Sequence, residues 1–394
     1  MNPKPVVLGG TPIFKNELPF VRPCLPPLEE LRQPYGEIFR NGMVTTGQYA
    51  EDLGGVIADY LGVKHAVAIS SCTTGLVLAV QALSLPKGSE VILPSFTFMA
   101  SALAPIWNQL RLRFVDVDRT TMNFDLQAVE NSITAETSAI LAVHQFGNPA
   151  PVEALEQIAS KHGLALIFDA AHGFGALHSK KPLGRYGQAE VFSLSPTKLM
   201  IAAEGGIVAT GDEGVAEHVR IGRNYGNPGN YDCLFPGFNA RMSELHAILA
   251  LRSFDMLEGA VQHRNRVVQY CRERLNSIPG IHFQHISSND RSSFKDFSLV
   301  VDENVFGLTQ KQLAHALLAE NIHTRIYYSP VLHQMEAFKS FAPADAHERL
   351  AETLYLESHA LSLPLYSDMS NEEAEALCAA IERIHAHAGL IAAL

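Results

Sequence analysis

The chain has 394 residues and a formal net charge of −11, with 47% hydrophobic and 18% charged residues. That length exceeds one ordinary core, so one large and one smaller domain are expected. The 30 Lys and Arg residues form no basic patch, which argues against nucleic acid and against an anionic membrane surface. No apolar run nears the roughly 18–20 residues needed to span a bilayer. The five cysteines, Cys24, Cys72, Cys233, Cys271 and Cys378, are widely spaced, with no C-x-x-C pair. Neither a disulfide framework nor a metal site is therefore expected. The opening MNPKPVVLGG lacks the apolar core of a signal peptide, so a cytoplasmic enzyme is the expectation.

Residues 1–45 are rich in proline and read as an extended arm leading into a short helix, suited to packing on another domain or subunit. Residues 50–61 look helical and stop at Gly62. Strands and helices then alternate. Strands are expected at 65–70, 90–93, 113–117, 138–143, 165–168, 190–194 and 206–210, with helices at 74–85, 98–108 and 152–162. Apolar strands alternating with helices make an α/β architecture with a mostly parallel sheet between helices. After Pro236 the rhythm changes. A long helical stretch covers 240–277, followed by strands near 297–301 and 324–328 and helices at 310–321, 347–362 and 371–388. The division drawn is a large domain over 1–250, arm included, and a smaller α+β C-terminal domain over 251–394.

In an open parallel sheet, ligands bind at the carboxyl ends of the strands, so the residues following each strand carry most weight. After the first strand, Ser70-Ser71-Cys72-Thr73-Thr74-Gly75 leads straight into a helix. Free amides and the positive end of a helix dipole make an anion site there, though Ser and Thr also cap helices without any ligand. Asp169 follows the strand ALIF and precedes Ala170-Ala171-His172-Gly173. A carboxylate so placed could hold a ribose, a metal or a ring nitrogen, or simply cap a turn. After EVFSL comes Ser195-Pro196-Thr197-Lys198, then Glu204-Gly205-Gly206. A lysine among small and apolar residues suits a partly buried amine that forms a Schiff base; a solvated surface lysine is the plainer alternative.

Taken together, SSCTTG, PSFTFMAS, VHQFGNP, FDAAHGFGA, FSLSPTKLMIAAEGG, GFNARMSEL, TRIYYSPVLH and LSLPLY resemble the DegT/DnrJ/StrS family of sugar aminotransferases. The resemblance runs from about Val44 to Leu390. It implies the aspartate-aminotransferase type of fold (fold type I) and pyridoxal 5'-phosphate as cofactor. Lys198 would carry the cofactor as a Schiff base and shuttle a proton. Asp169 would pair with the pyridine nitrogen, and His172 would bond the phenolic oxygen. Phe98, or alternatively Phe96, would stack on the ring. Thr73, the backbone of Cys72 and Thr74, and Ser193 would hold the phosphate. Asn239 would reach that phosphate across a homodimer interface, so active sites would be shared. Thr46, Tyr327 and His333 would line the substrate pocket. Cys72 and Met200 depart from the usual pattern, and Cys72 reads as a small packing residue.

The resemblance implies amino transfer from an amino acid, L-glutamate foremost, to a keto sugar carried on a nucleotide. A keto-cyclitol acceptor is one alternative. A regulatory or binding protein without turnover is another, disfavoured by the complete set of Asp169, His172, Ser193 and Lys198. A further possibility is that Arg325 clamps an amino-acid carboxylate, as arginines do through bidentate pairs.

Overall fold

The computed structural model describes residues 3–394, so the first two residues of the expected arm lie outside it. The strands in chain order are β1 (His65–Ile69), β2 (Glu90–Pro94), β3 (Arg111–Val115), β4 (Thr137–Val143), β5 (Ala165–Asp169), β6 (Leu177–His178), β7 (Lys181–Pro182), β8 (Ala189–Ser193), β9 (Gly206–Thr210), β10 (Ile281–Phe283), β11 (Phe297–Val301) and β12 (Ala360–Leu363). Seven of them form one sheet in the order β1-β9-β8-β5-β4-β2-β3. Only β9 runs against the rest, pairing antiparallel with both β1 and β8. β2, β8 and β9 are buried along their whole length, as a sheet covered on both faces requires. β6 and β7 make a small separate hairpin.

The helix Cys72–Ala82 shows how local sequence places a functional end. Ser71 is its N-cap, accepting the Thr74 amide at 3.2 Å. Gly75 lets the helix lie against the sheet, since a Cβ there would sit 2.2 Å from Ile69 Cδ1 and 2.8 Å from Val191 Cγ1. The positive end of the helix thus sits at the carboxyl end of β1.

The second body is an antiparallel sheet, β10-β11-β12, packed against the helices Leu257–Leu275 and Asn371–His385 through Val267, Cys271, Leu299, Leu361, Leu377 and Ile381. The first part of the arm, expected with the large domain, joins this body instead, whereas the arm's helix Leu28–Asn41 packs against Ile248. Leu18 is buried in the core of the second body, and the Leu18 amide bonds Asn321 O at 2.7 Å. The buried Glu320 accepts the amides of Val6 and Ile13, both at 3.0 Å. Helix Leu257–Leu275 spans both bodies: Leu257 and Val261 pack beside the main sheet, Val267 and Cys271 beside the smaller one.

Three expectations for this half are corrected. Residues 324–328 are not a strand; only Arg325 pairs, as an isolated bridge to Ser362. The β-favouring rings of Tyr327 and Tyr328 are used instead in an aromatic cluster, with Tyr328 5.4 Å from Phe96 and Tyr327 5.8 Å from Phe20. Strand propensity reports packing opportunity more than backbone preference, and here the rings find partners outside any sheet. The helix expected over 347–362 breaks at Leu350 and ends at His359; Ala360–Leu363 become β12, paired with β11. The stretch 240–277 is two helices, Glu244–Asp255 and Leu257–Leu275, parted at Met256.

Candidate active site

The carboxyl ends of β1, β5 and β8 converge on a cavity of about 330 Å³. Cys72, Thr73, Phe98, Asp169, His172, Ser193, Lys198 and Tyr327 all line it. Because β9 is reversed, its beginning lies at this same edge, with Gly206 opposite Ser193 and Ile69. Gly206 must be small: a Cβ there would meet Cys72 N at 2.6 Å and Ser71 C at 2.8 Å.

Asp169 is the last residue of β5 and is buried. Its Oδ2 accepts from the Ser101 hydroxyl at 2.7 Å and its Oδ1 from the Ala171 amide at 3.0 Å. Burial nonetheless raises its pKa above the ordinary range, against the lowering pull of those two bonds and of Lys198. A buried carboxylate in this state wants a cationic partner.

Burial, then the neighbouring charge of Lys295, pushes the Lys198 amine down to about 8. His172 is held well below its usual value by burial first and by Lys198 second, so it is neutral, and its Nδ1 is buried without a hydrogen-bond partner among the described residues. The Cys72 thiol is pushed well up by burial, which makes it a packing residue and not a nucleophile.

The two stacking candidates separate cleanly. Phe96 is fully buried in an aromatic cluster with Phe146 and Tyr328, whereas Phe98 lines the cavity and is 52% exposed. Thr74 is not a lining residue, because its amide is taken by Ser71 Oγ and its hydroxyl by Ser71 O. His333 also lies off the cavity wall, buried with its Nδ1 2.8 Å from Ser95 Oγ. Thr46 and Asn239 are exposed and away from this cavity in the same chain. Thr46 instead faces a second cleft with Arg223, Asn224 and Arg241. Arg325 is not among the lining residues; its guanidinium lies 5.8 Å from the Phe20 ring.

Sequence reasoning missed Ser101, Tyr328, Lys295 and Asp296. Ser101 sits in the first turn of helix Met99–Trp107, next to Phe98. Lys295 and Asp296 form a buried ion pair at 2.6 Å in the cavity wall. Two charges directly before the mostly apolar segment Phe297–Val301 were the available signal.

The chain is similar to known proteins over nearly its whole length. A dTDP-4-amino-4,6-dideoxy-D-glucose transaminase of Shigella dysenteriae is 32% identical over 375 residues, covering 95% of this chain and 99% of that protein. The spore coat polysaccharide biosynthesis protein SpsC of Bacillus subtilis (strain 168) is 30% identical over 380 residues, covering 93% and 97%. The crystal structure of DesI in the presence of its TDP-sugar product superposes with a TM-score of 0.88 at 31% identity, over 98% of this chain and 96% of that one. A family model matches residues 28–382, which include every lining residue named above. The chain is a member of the DegT/DnrJ/EryC1/StrS aminotransferase family.

Proposed function

We propose that this aminotransferase uses pyridoxal 5'-phosphate to move an amino group from an amino acid to a keto sugar carried on a nucleotide. The observation that carries this reading is the meeting of Asp169, His172, Lys198 and the start of helix Cys72–Ala82 in one cavity. The residues present fit the cofactor. The raised, buried Asp169 lacks a cation that a protonated pyridine nitrogen would supply. The unpartnered Nδ1 of His172 offers a bond to the phenolic oxygen. Phe98 presents a free ring for stacking. Thr73, Ser193 and the amides beginning the helix suit the phosphate, which a helix N-terminus favours through its unpaired N–H groups and dipole.

The cofactor, once bound, supplies the electron sink that ordinary side chains lack. Asp169 keeps the ring nitrogen protonated, with Ser101 and the Ala171 amide fixing both carboxylate oxygens. Lys198, with its pKa lowered to about 8, presents a free-base amine as the pH rises past that value and can take a proton from the substrate carbon and return it. Neutral His172 orients without adding charge.

Among the described residues lining the cavity there is no arginine, which favours a sugar acceptor over a clamped keto acid. The names of the transaminase and DesI relatives point the same way. L-glutamate is the proposed donor. The working unit is a homodimer in which Asn239 of each chain completes the phosphate site of the other; its exposure away from its own cavity supports this. So do the exposed apolar side chains Phe39, Met43, Val44 and Tyr225. Light scattering that finds an active monomer would reject the shared site. Among the described residues no helix is long and apolar enough to cross a membrane.

The substrate reading is tested by comparing acceptors. With L-glutamate as donor, nucleotide-linked 3-keto or 4-keto sugars are expected to be aminated well above pyruvate, oxaloacetate or keto-inositols. Efficient transfer to the simple keto acids, with none to any nucleotide sugar, would overturn it.

A further inference from the structure

Asp296 and Lys295 reach the cavity from the second body of the protein, on a segment held in place from three sides. The Lys295 amide bonds Phe146 O and the Ser293 amide bonds Gly147 O, both at 3.1 Å. Ser293 Oγ donates to His172 O at 2.7 Å, tying the segment to the loop that carries His172. The buried Arg264 donates to Phe294 O at 3.1 Å and to Lys295 O at 3.2 Å. Phe294 has φ of +45°, rare for a bulky side chain and kept only where surrounding contacts enforce it.

The pair so positioned is incomplete. Lys295 Nζ bonds Asp296 Oδ1 at 2.6 Å, while Asp296 Oδ2 is buried with no partner among the described residues. A carboxylate oxygen without a donor costs free energy, and a buried ion pair by itself is weak support for stability. The cofactor's own polar groups are spoken for: its ring nitrogen by Asp169, its phenolic oxygen by His172, its phosphate by the helix start. An amino-acid donor would bring a carboxylate, which Asp296 repels at short range. A neutral O–H is the group that suits the free oxygen.

We propose that Asp296 Oδ2 reads a hydroxyl of the sugar ring near the carbon that is aminated, with Lys295 Nζ fixing the other carboxylate oxygen. This makes Asp296 a specificity residue for the sugar, and it rests on the nucleotide-sugar reading above.

The experiment is a thermodynamic cycle on the full-length enzyme loaded with pyridoxamine phosphate, a form that binds an amino sugar without reacting. Calorimetry measures Kd for dTDP-4-amino-4,6-dideoxyglucose and for its 2-deoxy and 3-deoxy analogues, with wild type and Asp296→Asn. A hydrogen bond to a charged group corresponds to about 10–100-fold in Kd. Asp296→Asn is expected to weaken the parent sugar by that factor. One of the two deoxy analogues should bind wild type equally weakly and lose nothing further in the variant. Should Asp296→Asn fold poorly, Lys295→Gln/Asp296→Asn removes both charges together, and the same pattern is expected. Equal Kd values for the parent in wild type and variant, or an equal loss for the parent and both analogues, would overturn the proposal alone. A wild-type enzyme that takes the amino group of L-glutamate yet neither binds nor converts the dTDP sugar would overturn the substrate reading and this proposal with it.

Discussion

Two buried polar pairs flank the same cavity loops and differ in one respect. His144 and Glu190 are both fully buried, with Nε2 3.0 Å from Oε2. Every other polar atom of that pair is engaged. His144 Nδ1 accepts the Ala150 amide at 2.9 Å, and Glu190 Oε1 accepts the amides of Gly184 at 2.7 Å and Tyr186 at 2.9 Å. The His144 ring also stacks on Phe168, with centroids 5.0 Å apart. Lys295 and Asp296, by contrast, line the cavity and leave Oδ2 buried without a partner among the described residues. Buried polar networks that are complete rigidify a fold, whereas an unpaired member calls for a ligand. The first pair pins the loops after β4 and before β8, and the second is the one proposed above to meet the sugar.

The contrast predicts that substitutions on the cavity side cost function and leave the fold, while substitutions in the closed network cost the fold and spare the chemistry. The largest effect belongs to Lys198. Lys198→Ala should lose the visible absorbance of the bound cofactor and the cofactor-bearing peptide recovered after borohydride reduction. Turnover should fall by about 10⁴-fold or more with an unchanged melting temperature. Retention of the absorbance and of full turnover would remove Lys198 from its role.

Asp169→Asn comes next. It keeps the bonds of Ser101 and Ala171 in reach but cannot stabilise a protonated ring, so turnover is expected to drop about 10²–10³-fold. The cofactor should still bind, as an absorbance titration would report. Near-normal turnover would show that the ring nitrogen has no need of this carboxylate.

Glu190→Ala tests the other side. Breaking one partner out of a buried pair costs about 3–5 kcal/mol, so its urea midpoint should fall sharply. The folded fraction should retain the wild-type kcat. A variant as stable as wild type but inactive would erase the distinction between the two pairs.

The smallest effect is a shift in pH dependence. Only the neutral Lys198 amine captures the cofactor, so the capture rate should rise with pH through about 8. The charge of Lys295 lowers that pKa by disfavouring the ammonium form. Lys295→Met removes the positive charge and leaves Asp296 unpaired, and both changes favour the ammonium. The midpoint must therefore move to higher pH in stopped-flow absorbance. A midpoint that stays or moves lower would mean that Lys295 does not act on Lys198.

Asp169, His172, Ser193 and Lys198 are legible in the sequence because each ends or soon follows a short buried strand, and parallel strands deliver the residues at their carboxyl ends to one edge. The start of helix Cys72–Ala82 is legible for the same reason, through its Ser cap and its Gly against the sheet. Phe98 and Phe96 cannot be told apart by sequence, since both follow β2 by a few residues and only packing sends Phe96 into the core. His333 lies off the cavity wall, its ring engaged by Ser95, 238 positions away. Lys295 and Asp296 reach the cavity only because Ser293 and Lys295 bond the loop carbonyls of Gly147, His172 and Phe146. What the sequence by itself determined was the main sheet and its edge, carried by short-range pattern, while the chemistry expected there came from the resemblance of its motifs to a family. Only the tertiary structure decided which residues of the second body complete that site, because docking between distant segments leaves no periodic trace along the chain.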